Sequence, residues 1–181
     1  MESLLPGMTS APNLHPMVVH FPIAFWVAAT AAWSFALLRR SEDAWRFGLW
    51  LHTLGLAGGV VAVLFGFLAT AQMGHETPGH DLIHVHRNFM LVAGGLSVLV
   101  TGVGWWRRSA KGGWRPVQLL MSVLLLIILI LGGDRGAELV FRYGIGTARE
   151  RPPAGAEHEH GDQGHSREPD ESAGGRSHDD H

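Results

Sequence analysis

The sequence predicts an all-α fold: an integral membrane bundle of four transmembrane helices with a disordered, His- and acid-rich C-terminal tail. Three observations carry that expectation. Four apolar runs approach the roughly 20 residues that a helix needs to cross a bilayer. None of the four contains Asp, Glu, Lys or Arg. Residues 147–181 contain no Val, Ile, Leu, Phe, Met, Trp or Tyr, so they bury too little apolar surface to offset the entropy of ordering. The modest mean hydropathy of +0.12 averages these opposed regions. A soluble helical bundle is a poor alternative, because four charge-free runs in 181 residues leave no polar faces for water.

The expected organisation is an N-terminal extension over 1–14, a transmembrane domain over 15–146 and a tail over 147–181. The opening MESLLPGMTSAPN lacks a basic segment, so a cleaved signal peptide is not expected. The first span covers about 17–38, MVVHFPIAFWVAATAAWSFALL, and His15-Pro16 places a proline at its first helical position. The second covers about 47–72 and carries a small-residue stripe, Gly55, Gly59, Ala62 and Gly66. The third is apolar over 89–106 and starts earlier, near Ile83; Gly94, Gly95 and Gly102 mark a second stripe. Both stripes point to close helix packing within the chain, with a homodimer contact as the alternative. The fourth covers about 117–133, with Pro116 as an early residue.

Arginine and lysine set the expected orientation. RRSEDAWR, between the first two spans, holds three Arg, and RRSAKGGWRP, between the last two, holds four basic residues. The opposite side has Arg87, Arg135 and Arg142, with Arg149 and Arg151 further out. That balance puts both termini outside and both Arg-rich loops in the cytoplasm. Trp45, Trp50, Trp105, Trp106 and Trp114 then fall near the inner interface, as an aromatic belt does. With no cysteine, iron–sulfur and thiol chemistry are excluded.

The 12 histidines sort by side of the membrane. His15, His20, His75, His80, His84 and His86 fall at the outer face, and His158, His160, His165, His178 and His181 in the outer tail. His52 alone sits near the inner leaflet, where a hydrogen-bonded structural role is expected. His20 lies in the apolar layer of the first span, where polar residues are costly and so flag function. His86 stands at a similar depth in the third. Their imidazoles are expected to converge, and neutral imidazole suits zinc, copper, nickel and iron. His15 either joins that site or caps its helix. His80 and His84 share a face if GHETPGHDLIHVHRN is helical; His84 and His86 share one only if it is extended. Asp134 and Glu138 either form surface salt bridges or, if the fourth helix continues past Gly133, orient a ligating His. The tail histidines, mixed with Asp and Glu, suit weak binding of divalent transition metals.

LHPMVVHFPIAF, the four spans and the closing GAELVFRYGIG together resemble a bacterial family of multi-span membrane proteins filed as "domain of unknown function 2231". The resemblance covers roughly residues 14–146. It rests on His15, Pro16, His20, Phe21 and Pro22 at the opening and on Gly136, Glu138, Leu139, Tyr143 and Gly144 at the close. It implies a four-helix inner-membrane protein and assigns none of these residues a role. The tail lies outside the family pattern.

No nucleophile motif, phosphate loop, nucleotide fingerprint or nucleic-acid-binding stripe is present, so an enzyme is not the expectation. Three readings remain. One is a binding protein holding haem b or a divalent transition metal at His20 and His86, with help from His15, His84, His80 and Glu138. Another is a metal-handling transport component whose tail captures ions for the outer cluster. The third is a structural or accessory subunit whose histidines are only interfacial. The expected partners are the lipid bilayer, a second copy of the chain, or a redox or transport protein.

Overall fold

Two prolines set how the chain enters its first span. In the computed structural model, which describes residues 14–71, 78–108 and 113–147, α1 (His15–Val18) begins with Pro16 in its first turn. α2 (His20–Arg39) follows after a break of one residue. Pro22 causes the break: lacking an N–H, it leaves the Val18 carbonyl without its helical partner. Val19 keeps helical angles, φ −62° and ψ −23°. α1 and α2 therefore run on as one 25-residue apolar span, His15–Arg39.

The remaining helices are α3 (Glu42–Ala71), α4 (His80–Trp106) and α5 (Arg115–Tyr143). Arg40, at φ 54°, turns α2 into α3 through the left-handed region, and Ser41 accepts a hydrogen bond from Ala44 N at 3.2 Å as the N-cap. Glu42 and Asp43 complement the dipole of the first turn. α5 closes on Gly144, at φ 69°, with Gly144 N bonded to Val140 O and Ile145 N to Leu139 O. The Gly144 bond is the 5→1 bond of an αL cap, and it accounts for the YGIG that ends the apolar region. The fourth span was expected to end near residue 133; its helix continues through Gly133 to Tyr143.

All four spans are long and apolar enough to cross a membrane. Their outward faces carry large apolar side chains, from Leu38 at 83% exposure to Phe141 at 88%. Water does not tolerate such a surface over a whole bundle, whereas hydrocarbon does. Consecutive spans alternate in direction. One end of the bundle carries the starts of α1 and α4 and the ends of α3 and α5; it is the His-rich end. The other carries Arg39, Arg107 and Arg115 and is the Arg-rich end. There Arg115 Nη2 donates to Glu42 Oε2 at 2.6 Å and lies over the Trp45 ring.

Two apolar clusters fill the interior. Near the Arg-rich end, Trp33, Ala36, Trp45, Leu49 and Val100 pack together; further along, Trp26, Ala93 and Leu125 do. Trp33 stacks on Trp45 with centroids 5.4 Å apart and donates from Nε1 to Trp45 O at 3.0 Å. Trp45 is thus core, at 2% exposure, and not part of the expected aromatic belt; Trp50 and Trp106 are the exposed ones. Trp45 faces inward because it lies one helical turn from Gly48 and Leu49 on the packed side of α3.

The two glycine stripes part company. On α3, a Cβ at Gly48 would lie 2.6 Å from the Trp33 ring and 3.2 Å from Ala29 O, and one at Gly55 would lie 2.6 Å from Trp26. On α4, a Cβ at Gly94, Gly95 or Gly102 would meet nothing within 4 Å among the described residues. The expected packing within the chain holds for α3. It fails for those three glycines of α4, which turn away from the neighbouring helices. Gly48→Ala and Gly55→Ala will therefore lower stability by about 1–3 kcal/mol through overpacking. Gly94→Ala and Gly102→Ala will leave it unchanged or raise it by roughly 0.5–1 kcal/mol, as Ala favours the helix. Thermal melts of the detergent-solubilised protein, followed by tryptophan fluorescence, separate the two classes.

Candidate functional site

At the His-rich end the same local device occurs twice. His15, at the start of α1, bonds through Nδ1 to Ala62 O of α3 at 2.9 Å. Its ring lies on Gly66, one turn further on, where a Cβ would come within 3.2 Å of the imidazole. His86, in the second turn of α4, bonds through Nδ1 to Gly132 O of α5 at 2.7 Å and lies on Gly136, where a Cβ would come within 3.0 Å. Each histidine therefore uses a small residue at i for approach and a glycine at i+4 as a seat.

A carbonyl can only accept, so Nδ1 carries the proton in both rings. In the neutral imidazole this leaves the Nε2 lone pair uncommitted. Hydrogen bonding of the distal nitrogen to a carbonyl is also how proteins orient a ligating histidine. The two rings come from the first and third spans, and each is held by the span that follows its own.

The pair expected to converge was His20 with His86; in the structure it is His15, not His20, that is turned like His86 onto a carbonyl of the next span. His20 is exposed, for a geometrical reason. Five residues rotate a helical side chain by about 140°, so a helix that turns His15 inward turns His20 outward. His84 and His86 do not share a face, because the segment is helical and two residues cannot align on it.

His80 and His84 do share a face, and they form a separate pair. Arg87 Nη2 donates to His84 Nδ1 at 2.6 Å, which puts the proton of a neutral His84 on Nε2, directed at His80 Nε2 at 2.9 Å. Among the described residues, no three His, Asp or Glu side chains gather into a group that could hold a metal ion. Of the five candidates, His80 and His84 form a pair, His15 and His86 each bond a carbonyl of the next span, and His20 is exposed.

The carboxylates do not serve the histidines. Glu138 accepts from Arg135 at 3.2 Å and from Arg142 at 3.0 Å on its own helix. Asp134 is exposed and 3.9 Å from Arg135. The arginines, spaced at i−3 and i+4, reach Glu138 before any element across the bundle can. Orientation of His86, once expected from these acids, comes from the Gly132 carbonyl instead. His75 and the tail histidines, His158, His160, His165, His178 and His181, lie outside the described residues.

Reading the sequence missed Ala62, Gly66 and Gly132 as partners. The signal was present as two small-xxx-Gly pairs, Ala62 with Gly66 and Gly132 with Gly136, each on the helix following a histidine. His52, by contrast, meets its expectation: fully buried, it bonds through Nδ1 to Thr101 Oγ1 at 3.0 Å.

A family model described as "Predicted membrane protein (DUF2231)" matches residues 11–149. No curated protein and no solved structure matches the chain. The two seated histidines make a stability prediction. His15→Ala and His86→Ala will each cost about 1 kcal/mol, near the worth of an interhelical hydrogen bond in a membrane plus ring packing. His20→Ala will cost nothing measurable. Unfolding in mixed micelles as denaturing detergent is raised gives the comparison.

Proposed function

The chain belongs to this family of predicted membrane proteins, and we propose that its His-rich end binds one transition-metal centre through Nε2 of His15 and His86. One observation carries the reading: both imidazoles are fixed by Nδ1–H bonds to carbonyls of the following helix, at 2.9 and 2.7 Å, with Nε2 left as donor. Two structural histidines need not share a tautomer or a glycine seat.

Ligand count narrows the metal. A closed zinc site takes four protein ligands, and two imidazoles suit a centre that asks for only two. Haem iron is such a centre, since the porphyrin fills its equatorial positions; a cuprous ion is another. A centre of this kind supports electron transfer or metal holding in the membrane. The chain then acts as a binding protein, and no catalytic group is assigned. Seven basic residues in the two Arg-rich loops favour the His-rich end facing outward from the inner membrane.

A second reading has its own support. Each Nδ1 bond already ties a helix to its neighbour, so the pair also suits a clamp in an accessory subunit without cofactor.

Absorption spectra and metal analysis on full-length protein from metal- and haem-replete cells test the proposal. Haem predicts a Soret band, and a bare ion predicts about one metal per chain without it. In either case His15→Ala and His86→Ala will abolish binding, while His20→Ala, His80→Ala and removal of 148–181 will preserve it. Colourless, metal-free protein that folds normally leaves the clamp.

A further inference from the structure

Between the two apolar clusters, each span contributes a polar residue to the interior. They are Thr30 on α2, His52 on α3, Ser97 on α4 and Ser122 on α5, all buried. Thr30 follows Trp26 by one turn and precedes Trp33. Ser97 stands likewise between Ala93 and Val100. His52 follows Leu49, and Ser122 precedes Leu125. The four therefore form a polar layer across the bundle, within its membrane-spanning length.

The layer is only half satisfied from within. Thr30 Oγ1 donates to Trp26 O at 2.8 Å, so its contact with Ser122 Oγ at 2.6 Å has Ser122 as donor. Thr101 Oγ1, one turn from Ser97, takes His52 Nδ1. His52 Nε2, Ser97 Oγ and Trp26 Nε1 have no partner among the described residues, and neither does the Gln118 amide at either atom. His52, Ser97 and Gln118 are at most 2% exposed. Buried polar atoms are paired as a rule, with protein or with water, and the surrounding hydrocarbon can relieve none of these.

Gln118 also connects the layer to a surface. It lies one turn from Ser122, towards the Arg-rich end, with Nε2 over Gly104. It lines a half-open groove of about 320 Å³ between α4 and α5, with Val103, Val117 and Met121, whose rim carries Arg107 and Trp114. Apolar walls with one polar side chain at the base suit a few water molecules better than a charged solute. A water needs two to four polar partners; Trp26 Nε1 supplies a donor, His52 Nε2 an acceptor and Ser97 Oγ both.

We propose that this layer is a second binding site, for water admitted from the Arg-rich end past Gln118, and that it keeps the His52 imidazole in contact with solvent inside the membrane. The site is independent of the metal centre proposed above. It gives the bundle a hydrated imidazole deeper in its interior than His15 and His86.

The test is water-to-protein polarisation transfer by solid-state NMR on full-length, ¹⁵N-histidine-labelled protein in liposomes. The His52 signals are assigned by their loss in His52→Asn. In the wild type, transfer to His52 will match that to His80 at the start of α4, and Gln118→Leu will slow it several-fold without altering helicity or the His80 signal. Ser97→Ala, which removes one water partner, will slow it less. A wild-type His52 that receives no transfer on the timescale of His80 overturns the proposal. So does unchanged transfer in a folded Gln118→Leu variant, since water would then arrive by another route. Should Gln118→Leu fail to fold, the wild-type measurement and Ser97→Ala decide.

Discussion

Aromatic rings seated on bare backbone hold this bundle together. Lipid tails are as apolar as the side chains they meet, so no hydrophobic force drives one helix onto another within the bilayer; close contact must do so. On α3, a stripe of glycines supplies the seats, and the preceding span supplies the rings. His15 lies on Gly66, Trp26 on Gly55 and Trp33 on Gly48. Stepping eleven and then seven residues along one helix steps eleven and then seven back along the other. These intervals correspond to three turns and two turns, so one face of each helix meets one face of its neighbour over the whole span. The second helix pair repeats the arrangement, with His86 on Gly136 and Phe89 and Met90 over Gly132.

That constraint also positions the candidate site. Histidine serves in the same structural place as tryptophan, a flat ring on a glycine, but at the bundle end it adds a hydrogen bond to the exposed carbonyl one turn away. The bond fixes the tautomer, and the tautomer decides which nitrogen is left for a metal. Deeper in the bundle, hydroxyls solve the same problem differently. Ser34, Thr53 and Thr70 return their protons to carbonyls of their own helices, to Thr30, Leu49 and Gly66. Ser97, Gln118 and the far side of His52 have no such recourse, which is why the polar layer calls for a ligand and the hydroxyls elsewhere do not.

The four spans, their proline starts and the two Arg-rich connections were legible because each depends on composition or on local chemistry. The pairing of His20 with His86 was not. Depth along a span can be counted from sequence, but the direction a side chain takes depends on which face finds a partner. In α1 and α2 that face is set by the rings of Trp26 and Trp33, and His20 lies outside it. Glu138 misled in the opposite way. It resembles an acid waiting across the bundle for a histidine, yet two arginines on its own helix reach it first. Gly94, Gly95 and Gly102 carry the same small-residue signal as Gly55 and Gly59, but without rings opposite them.

By itself the sequence determined that this chain crosses a membrane with four helices, since the free energy of placing apolar segments in hydrocarbon depends on their composition and length alone. It also determined where two of the helices start, at Pro16 and Pro116, because a missing N–H and a fixed φ are local properties. Only the tertiary structure decided that His15 and not His20 turns onto a neighbouring span, and that His52 shares a layer with Thr30, Ser97 and Ser122. Those outcomes depend on the rotation of each helix about its axis, and that rotation is fixed by which ring finds which glycine on another helix.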